Sequence, residues 1–174
     1  MANGAAGQPA HDTLARAEPA GLTLEKFLPY RFNVLANLLS QALSRIYADR
    51  YKIGIPEWRV LATLGQYGVM TGKAVGEHSH MHKTKVSRAV SLLERRKLVT
   101  RKTNRDDMRE AFLSLTPAGR EIYDQIAPAA AEFANRLLDV VDIPDRPALD
   151  RALLRLTERS RELVSELAIR KNRG

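Results

Sequence analysis

His82–Val90 reads HKTKVSRAV, and the organisation of the chain turns on this stretch. Lys83, Thr84, Lys85, Ser87 and Arg88 crowd cations and small hydroxyls into it, while Val86, Ala89 and Val90 keep an apolar rhythm. On a helix, residues three and four apart share a face. Lys83, Thr84, Ser87, Arg88 and Ser91 then fall on one side, and Val86, Val90 and Leu93 on the other. Two readings fit: an ordinary solvated helix face, or a surface shaped to lie in a groove of nucleic acid.

Upstream, Pro56 suits the first turn of a helix, and EWRVLATLGQY continues it with Trp58, Val60, Leu61 and Leu64 as the apolar set until Gly68. Thr71 can cap a third helix, GKAVGEHS, which Gly72 and Gly76 weaken. Downstream, SLLERRKLV extends the quoted stretch to a helix over about 82–96, and then the period changes. LVTRKT and EAFLSLT alternate as strands do, with Ala111, Leu113 and Leu115 against Phe112, Ser114 and Thr116. The charged segment NRDDMR between them makes the tip of a β-hairpin. Thr116 followed by Pro117 is a helix start, the hydroxyl as cap and the proline in the first turn.

Long helical patterns flank this centre. Over 24–51, Leu28, Phe32, Leu35, Leu39, Leu43 and Ile46 form one stripe, which Val34, Leu38, Ala42 and Tyr47 widen. So broad a stripe implies burial on two sides. A helix over 117 to about 140 carries Ile122, Ile126, Phe133 and Leu137, with Pro128 expected to kink it near 124–128. DIPDRP ends it. The last helix, about 146–170, places Leu149, Leu153, Leu156, Leu163 and Leu167 near a 3.5-residue repeat that Ser160 interrupts. Such a seam packs along another helix, on its own subunit or on a second copy; together with the broad first stripe it favours a homodimer.

The expected organisation is therefore a mobile Ala/Gly/Pro-rich arm over 1–21, a dimerisation helix over 22–52, a DNA-binding lobe over 53–116, C-terminal dimerisation helices over 117–170, and a basic tail over 171–174. The fold class is mainly α with one small β-wing. The net charge of +8 favours an anionic partner, nucleic acid or an acidic membrane surface. The absence of cysteine excludes disulfides, zinc-thiolate sites and thiol nucleophiles, and suits a reducing cytoplasm. No apolar run approaches the ~20 residues that span a bilayer, so no membrane partner is expected, and the N-terminus lacks the pattern of a secretory leader.

A helix-turn-helix presents its second helix to the major groove, which is wide enough to admit it. Arg and Lys pair with guanine, and Ser and Thr adapt to bases or phosphates. This makes Lys83, Thr84, Lys85, Ser87, Arg88 and Ser91 the candidate DNA-contacting residues of the helix. The hairpin adds Arg101, Lys102, Arg105 and Arg109, aimed at phosphates or the minor groove. An outward Asp107 would be repelled by phosphate; it either holds the Arg109 fork by hydrogen bonds or is a solvated turn carboxylate.

The run from about 55 to 120 resembles the winged helix-turn-helix of the multiple antibiotic resistance regulator (MarR) family. PEWRVLATL, KTKVSRAVSLLERRKLVTR, the D-x-R pair Asp107 and Arg109, and LTPAG with Leu115, Thr116 and Gly119 carry the likeness. With the flanking helices it extends over about 24–170. The third helix departs from the pattern, lacking an aliphatic residue near its end that Met81 can replace, and Met108 stands where a second wing arginine is common. The resemblance implies a homodimer on a pseudo-palindromic, inverted-repeat operator, usually a repressor. It also implies release by a small molecule, often a phenolic or aromatic carboxylate, and no cofactor.

Other constellations compete with it. His78, His80 and His82 offer nitrogen ligands for a metal-responsive regulator, but without cysteine and with alternate residues pointing apart; no metal site is assigned. Phe27, Tyr30, Arg31 and Trp58 either line an aromatic ligand pocket, the arginine holding a carboxylate, or divide between core and surface. No nucleophile elbow, phosphate-binding glycine loop or metal-ligand helix is present, and Asp106 and Asp107 sit among cations on an exposed turn, so an enzyme is not expected. A basic, non-sequence-specific architectural protein remains the alternative.

Overall fold

The computed structural model describes residues 21–103 and 111–171. Along them run α1 (Leu28–Tyr51), α2 (Ile55–Tyr67), β1 (Met70–Thr71), α3 (Gly72–Ser79), α4 (Lys83–Arg95), β2 (Val99–Thr103), β3 (Ala111–Leu115), α5 (Pro117–Leu138), a 3-10 turn at Ile143–Asp145, and α6 (Arg146–Lys171). Residues 1–20 of the arm, 172–174 of the tail, and the wing tip with Arg105, Asp107 and Arg109 lie outside the described residues. The first helix starts at Leu28 rather than 24, with Pro29 in its first turn, where the missing N–H costs nothing.

The chain divides into two compact units, residues up to Ile126 and from Ala127 onward. The first unit keeps α1 with the helices and sheet over 55–115 because the C-terminal end of α1 is part of their core. Tyr47 is 1% exposed and stacks on Trp58 of α2 at 5.4 Å between ring centroids, and Trp58 stacks on Tyr123 of α5 at 6.2 Å. Around this column Ile53, Val60, Leu61, Leu64, Val75, Val90, Leu93 and Leu113 are buried. Met81 is buried too, so it supplies the apolar contact that the glycine-containing α3 lacks.

Local devices close several of the elements. Gly68, at φ +78°, ends α2 and donates its N–H to Leu64 O. The Thr71 hydroxyl accepts from Ala74 N and starts α3. The Thr116 hydroxyl accepts from Gly119 N at 3.0 Å and donates to Lys97 O at 2.7 Å, so one side chain caps α5 and anchors it to the turn before β2. A Cβ on Gly119 would overlap the Leu98 carbonyl oxygen, which is the reason for glycine two residues after Pro117.

The hairpin is one edge of a three-stranded antiparallel sheet in the order β1-β3-β2. The pairs Val99↔Leu115, Arg101↔Leu113 and Thr103↔Ala111 join β2 to β3, and Met70↔Leu113 and Thr71↔Phe112 add β1. Two residues carry no alternation that a sequence pattern can register, which is why β1 was not expected.

In the second unit α5 runs through Pro128 without a break. Arg146 closes the turn that follows, donating to Leu138 O at 2.9 Å and Val141 O at 3.2 Å. Over 146–170 no residue of α6 is buried in the single chain, and Leu153, Leu156, Leu163 and Leu167 are exposed. Arg159 lies along this helix between Glu162, at 2.7 Å, and Glu166, at 3.0 Å, and both hydrogen bonds raise its pKa.

Candidate nucleic-acid interface

The charge pattern of α4 is resolved by its packing. Val86, Ala89, Val90 and Leu93 are buried against the lobe, while Lys83, Thr84, Lys85, Ser87 and Arg88 are exposed and Ser91 is half-buried. The helix therefore presents one continuous polar and basic face, and its N-terminal half carries most of the cations. His82 forms the start: its Nδ1 accepts from Thr84 N at 3.4 Å.

The three histidines expected as possible metal ligands serve separate ends. His78 packs its ring on Tyr67 at 4.4 Å, His80 takes the left-handed position that closes α3, and His82 caps α4. Among the described residues no group of three or more His, Asp or Glu is placed to hold a metal ion.

Beside the N-terminal half of α4 lies an open groove of about 960 Å³. Lys73 of α3, Lys83 and Ser87 of α4, and Arg101 of β2 stand around it, with Val86 and Leu113 beneath. Lys73 was missed in the sequence because it sits on the helix that precedes the basic stretch. The turn through His80 brings it to the same groove.

On the wing, Lys102 is exposed at the register position opposite Phe112. Arg101 differs from expectation. Its guanidinium is turned back to α4 and donates twice to Glu94, which holds the fork against the helix and away from the role of an unengaged wing cation. Glu94 gave no signal in the sequence, since its partner lies on another element.

The proposed ligand set separates within the single chain. Trp58 is 7% exposed and held in the aromatic column with Tyr47. Tyr30 is exposed seventeen residues before Tyr47 on the same helix, roughly 25 Å away at 1.5 Å per residue. Phe27 caps the far end of α1 and Arg31 is one turn along it, so Phe27, Tyr30 and Arg31 cluster without Trp58.

Comparison with known proteins agrees with this geometry. Residues 51–110 match the model of the MarR family. The fold is similar to a MarR/EmrR family transcriptional regulator from Acinetobacter sp. ADP1, at 25% identity over 81% of this chain and 99% of that one, with a TM-score of 0.73. It is similar to a MarR family transcriptional regulator from Silicibacter pomeroyi, at 25% identity over 80% and 94%, with a TM-score of 0.68. BpsR from Bordetella bronchiseptica, whose DNA binding is regulated by 6-hydroxynicotinic acid, shares the fold at 20% identity over 73% and 98%, with a TM-score of 0.62. No curated protein matches the chain.

Proposed function

We propose that the chain is a transcription regulator of the MarR type rather than an enzyme, and that it acts as a homodimeric, sequence-specific repressor. In this reading it leaves an inverted-repeat operator when a small aromatic carboxylate binds. The observation that carries the DNA-binding reading is the two-faced α4, with a buried apolar side and an exposed basic side on a helix-turn-helix.

Arg88 and Lys83 suit guanine edges, and Thr84, Ser87 and Ser91 suit adjacent bases or phosphates. Lys85, Lys102 and Lys73 suit the phosphate backbone. Arg105, Asp107 and Arg109, which lie outside the described residues, are proposed as further DNA-binding residues of the hairpin. Arg101 enters as a brace for the wing, reaching DNA only if it leaves Glu94.

A second copy is the occupant proposed for the uncovered apolar faces. Leu35 and Leu38 on α1 and, in the other unit, Leu153, Leu156 and Leu163 on α6 are exposed in the single chain. Leucines at this density are covered by like surfaces in a stable assembly. Phe27, Tyr30 and Arg31 are retained as the aromatic and cationic candidates for the effector, and Trp58 is reassigned to packing. BpsR supports the effector class by its own regulator. No helix among the described residues is long and apolar enough to cross a membrane; the proposed place of action is the cytoplasm, with the DNA.

Selection of binding sites from random duplex DNA at physiological salt tests the reading. An enriched inverted repeat, with a sedimentation mass of twice the 19.5 kDa chain, is the expected result. Salt-sensitive binding without an enriched motif would replace it with the architectural alternative.

A further inference from the structure

Two adjacent turns of chain, far apart in sequence, meet at the C-terminal end of α4. Arg96, the residue that closes this helix, extends its guanidinium to the end of α1. It donates from Nη2 to Tyr51 O at 2.7 Å and from Nη1 to Lys52 O at 2.8 Å. Both acceptors are terminal carbonyls of α1, where the helix dipole is negative and no backbone partner remains. Lys52 adopts the left-handed conformation, φ +52°, which ends α1 at the carbonyls Arg96 takes. The bonds are charge-assisted and span a fork, so they fix direction as well as distance.

The same α1 terminus is held on two other sides. The Tyr51 hydroxyl donates to Gln125 Oε1 on α5 at 2.9 Å, and the Tyr47 ring is in the aromatic column. At the α4 end, Glu94 holds Arg101 of the wing. Two residues apart, then, α4 is tied in one direction to the wing and in the other to the helix that presents an uncovered apolar face.

We propose that Arg96 is a positioning residue that sets the aim of the recognition helix from α1, and so determines the half-site spacing that the dimer accepts. The proposal rests on the DNA-binding reading above. α4 has thirteen residues and is about 20 Å long, so a tilt of a few degrees about its buried middle moves its N-terminal side chains by roughly 1 Å. Hydrogen bonds to base edges do not survive displacements of that size, whereas attraction to phosphates does. Loss of the Arg96 fork therefore acts on paired half-sites and spares non-specific binding.

The test uses the full-length protein, its selected operator, the same operator with one base pair inserted between half-sites, and an unrelated duplex, all at fixed salt. Arg96→Gln is expected to weaken operator binding about tenfold, the scale of a lost hydrogen bond to a charged donor. Binding to the unrelated duplex should stay within about twofold, and the penalty for the inserted base pair should shrink. Arg96→Lys, which keeps the charge but not the fork, should fall between, and it carries the test alone if Arg96→Gln does not fold. Equal weakening on all duplexes, or an insertion penalty equal to that of the unmodified protein, would overturn the proposal. Failure of the unmodified protein to select any inverted repeat would instead remove the DNA-binding reading itself.

Discussion

Arg101 grips Glu94 through two bonds, Nε to Oε1 at 3.2 Å and Nη2 to Oε2 at 3.1 Å, and so ties β2 to the last turn of α4. Its neighbour Lys102 alternates to the other face of the strand and is exposed. Two consecutive cations in the sequence thus have different work. Arg101→Ala should cost about 0.2–1 kcal/mol of stability, the range for an exposed pair, and leave the salt dependence of DNA binding unchanged. Lys102→Ala should weaken all duplexes alike and flatten the logarithmic salt slope by about one. Anisotropy titrations across a salt series separate the two, and equal slope changes would contradict the assignment.

Arg88 is exposed one turn beyond Thr84 on the polar face of α4. Arg88→Ala should cost ~1–3 kcal/mol at the specific operator through loss of a bidentate guanine contact, and relax selectivity at one base-pair position. The check is a set of single-base operator variants at constant salt; an unchanged affinity would remove Arg88 from base reading.

Much of this lobe was legible because its elements are local. The buried positions of α4 recur at helical spacing, Thr71 and Thr116 announce helix starts, and β2 and β3 alternate. The rest depends on partners distant in the chain. Arg96 finds carbonyls of residues 51 and 52, and Arg101 finds Glu94, and neither carries a mark in its own neighbourhood. The separation of Trp58 from Tyr30 within the single chain has a similar cause. Trp58 and Tyr30 are both aromatic residues near α1, but helix length keeps them apart once Tyr47 takes the stacking position.

Gly119 is fixed by contact with the Leu98 backbone, which cannot yield as a side chain can. Gly119→Ala should destabilise the protein by at least ~2 kcal/mol, despite the better helix propensity of alanine. Urea unfolding measures this; a gain in stability would show that α5 can move away from Leu98 freely.

Lys97, the residue after the Arg96 cap of α4, sits at φ +57°, with Leu98 N donating to Leu93 O across the turn. A non-glycine residue is disfavoured there, and the carbonyl used by Thr116 belongs to the backbone. Lys97→Gly should therefore stabilise by about 0.5–1 kcal/mol after the entropy of the unfolded glycine is counted. Denaturant midpoints give the sign; a loss would mean that the lysine side chain contributes more than the strain it imposes.

Burial pushes the Tyr47 hydroxyl up from 10.0 to about 12, with Arg59 opposing and Glu57 adding to the shift. The unfolded chain releases this proton near pH 10 and the folded chain retains it until about pH 12. The stability it contributes is complete below pH 10 and is lost as pH rises across that window, by roughly 3 kcal/mol at most. Unfolding of the native protein and of Tyr47→Phe, compared from pH 9 upward, should show a steeper decline in the native protein. Parallel curves would contradict the assignment.

The column that joins Tyr47, Trp58 and Tyr123 contains the only indole of the chain. The protein consequently has a built-in optical gauge. Its ultraviolet emission comes from the joint where three helices meet, shielded from water and free of contributions from a second tryptophan. An operator duplex or an effector that opens this joint shifts the emission to longer wavelength, while one that acts only at the surface leaves the spectrum still. Any opening of the joint can be followed in real time, in unlabelled protein, by colour alone.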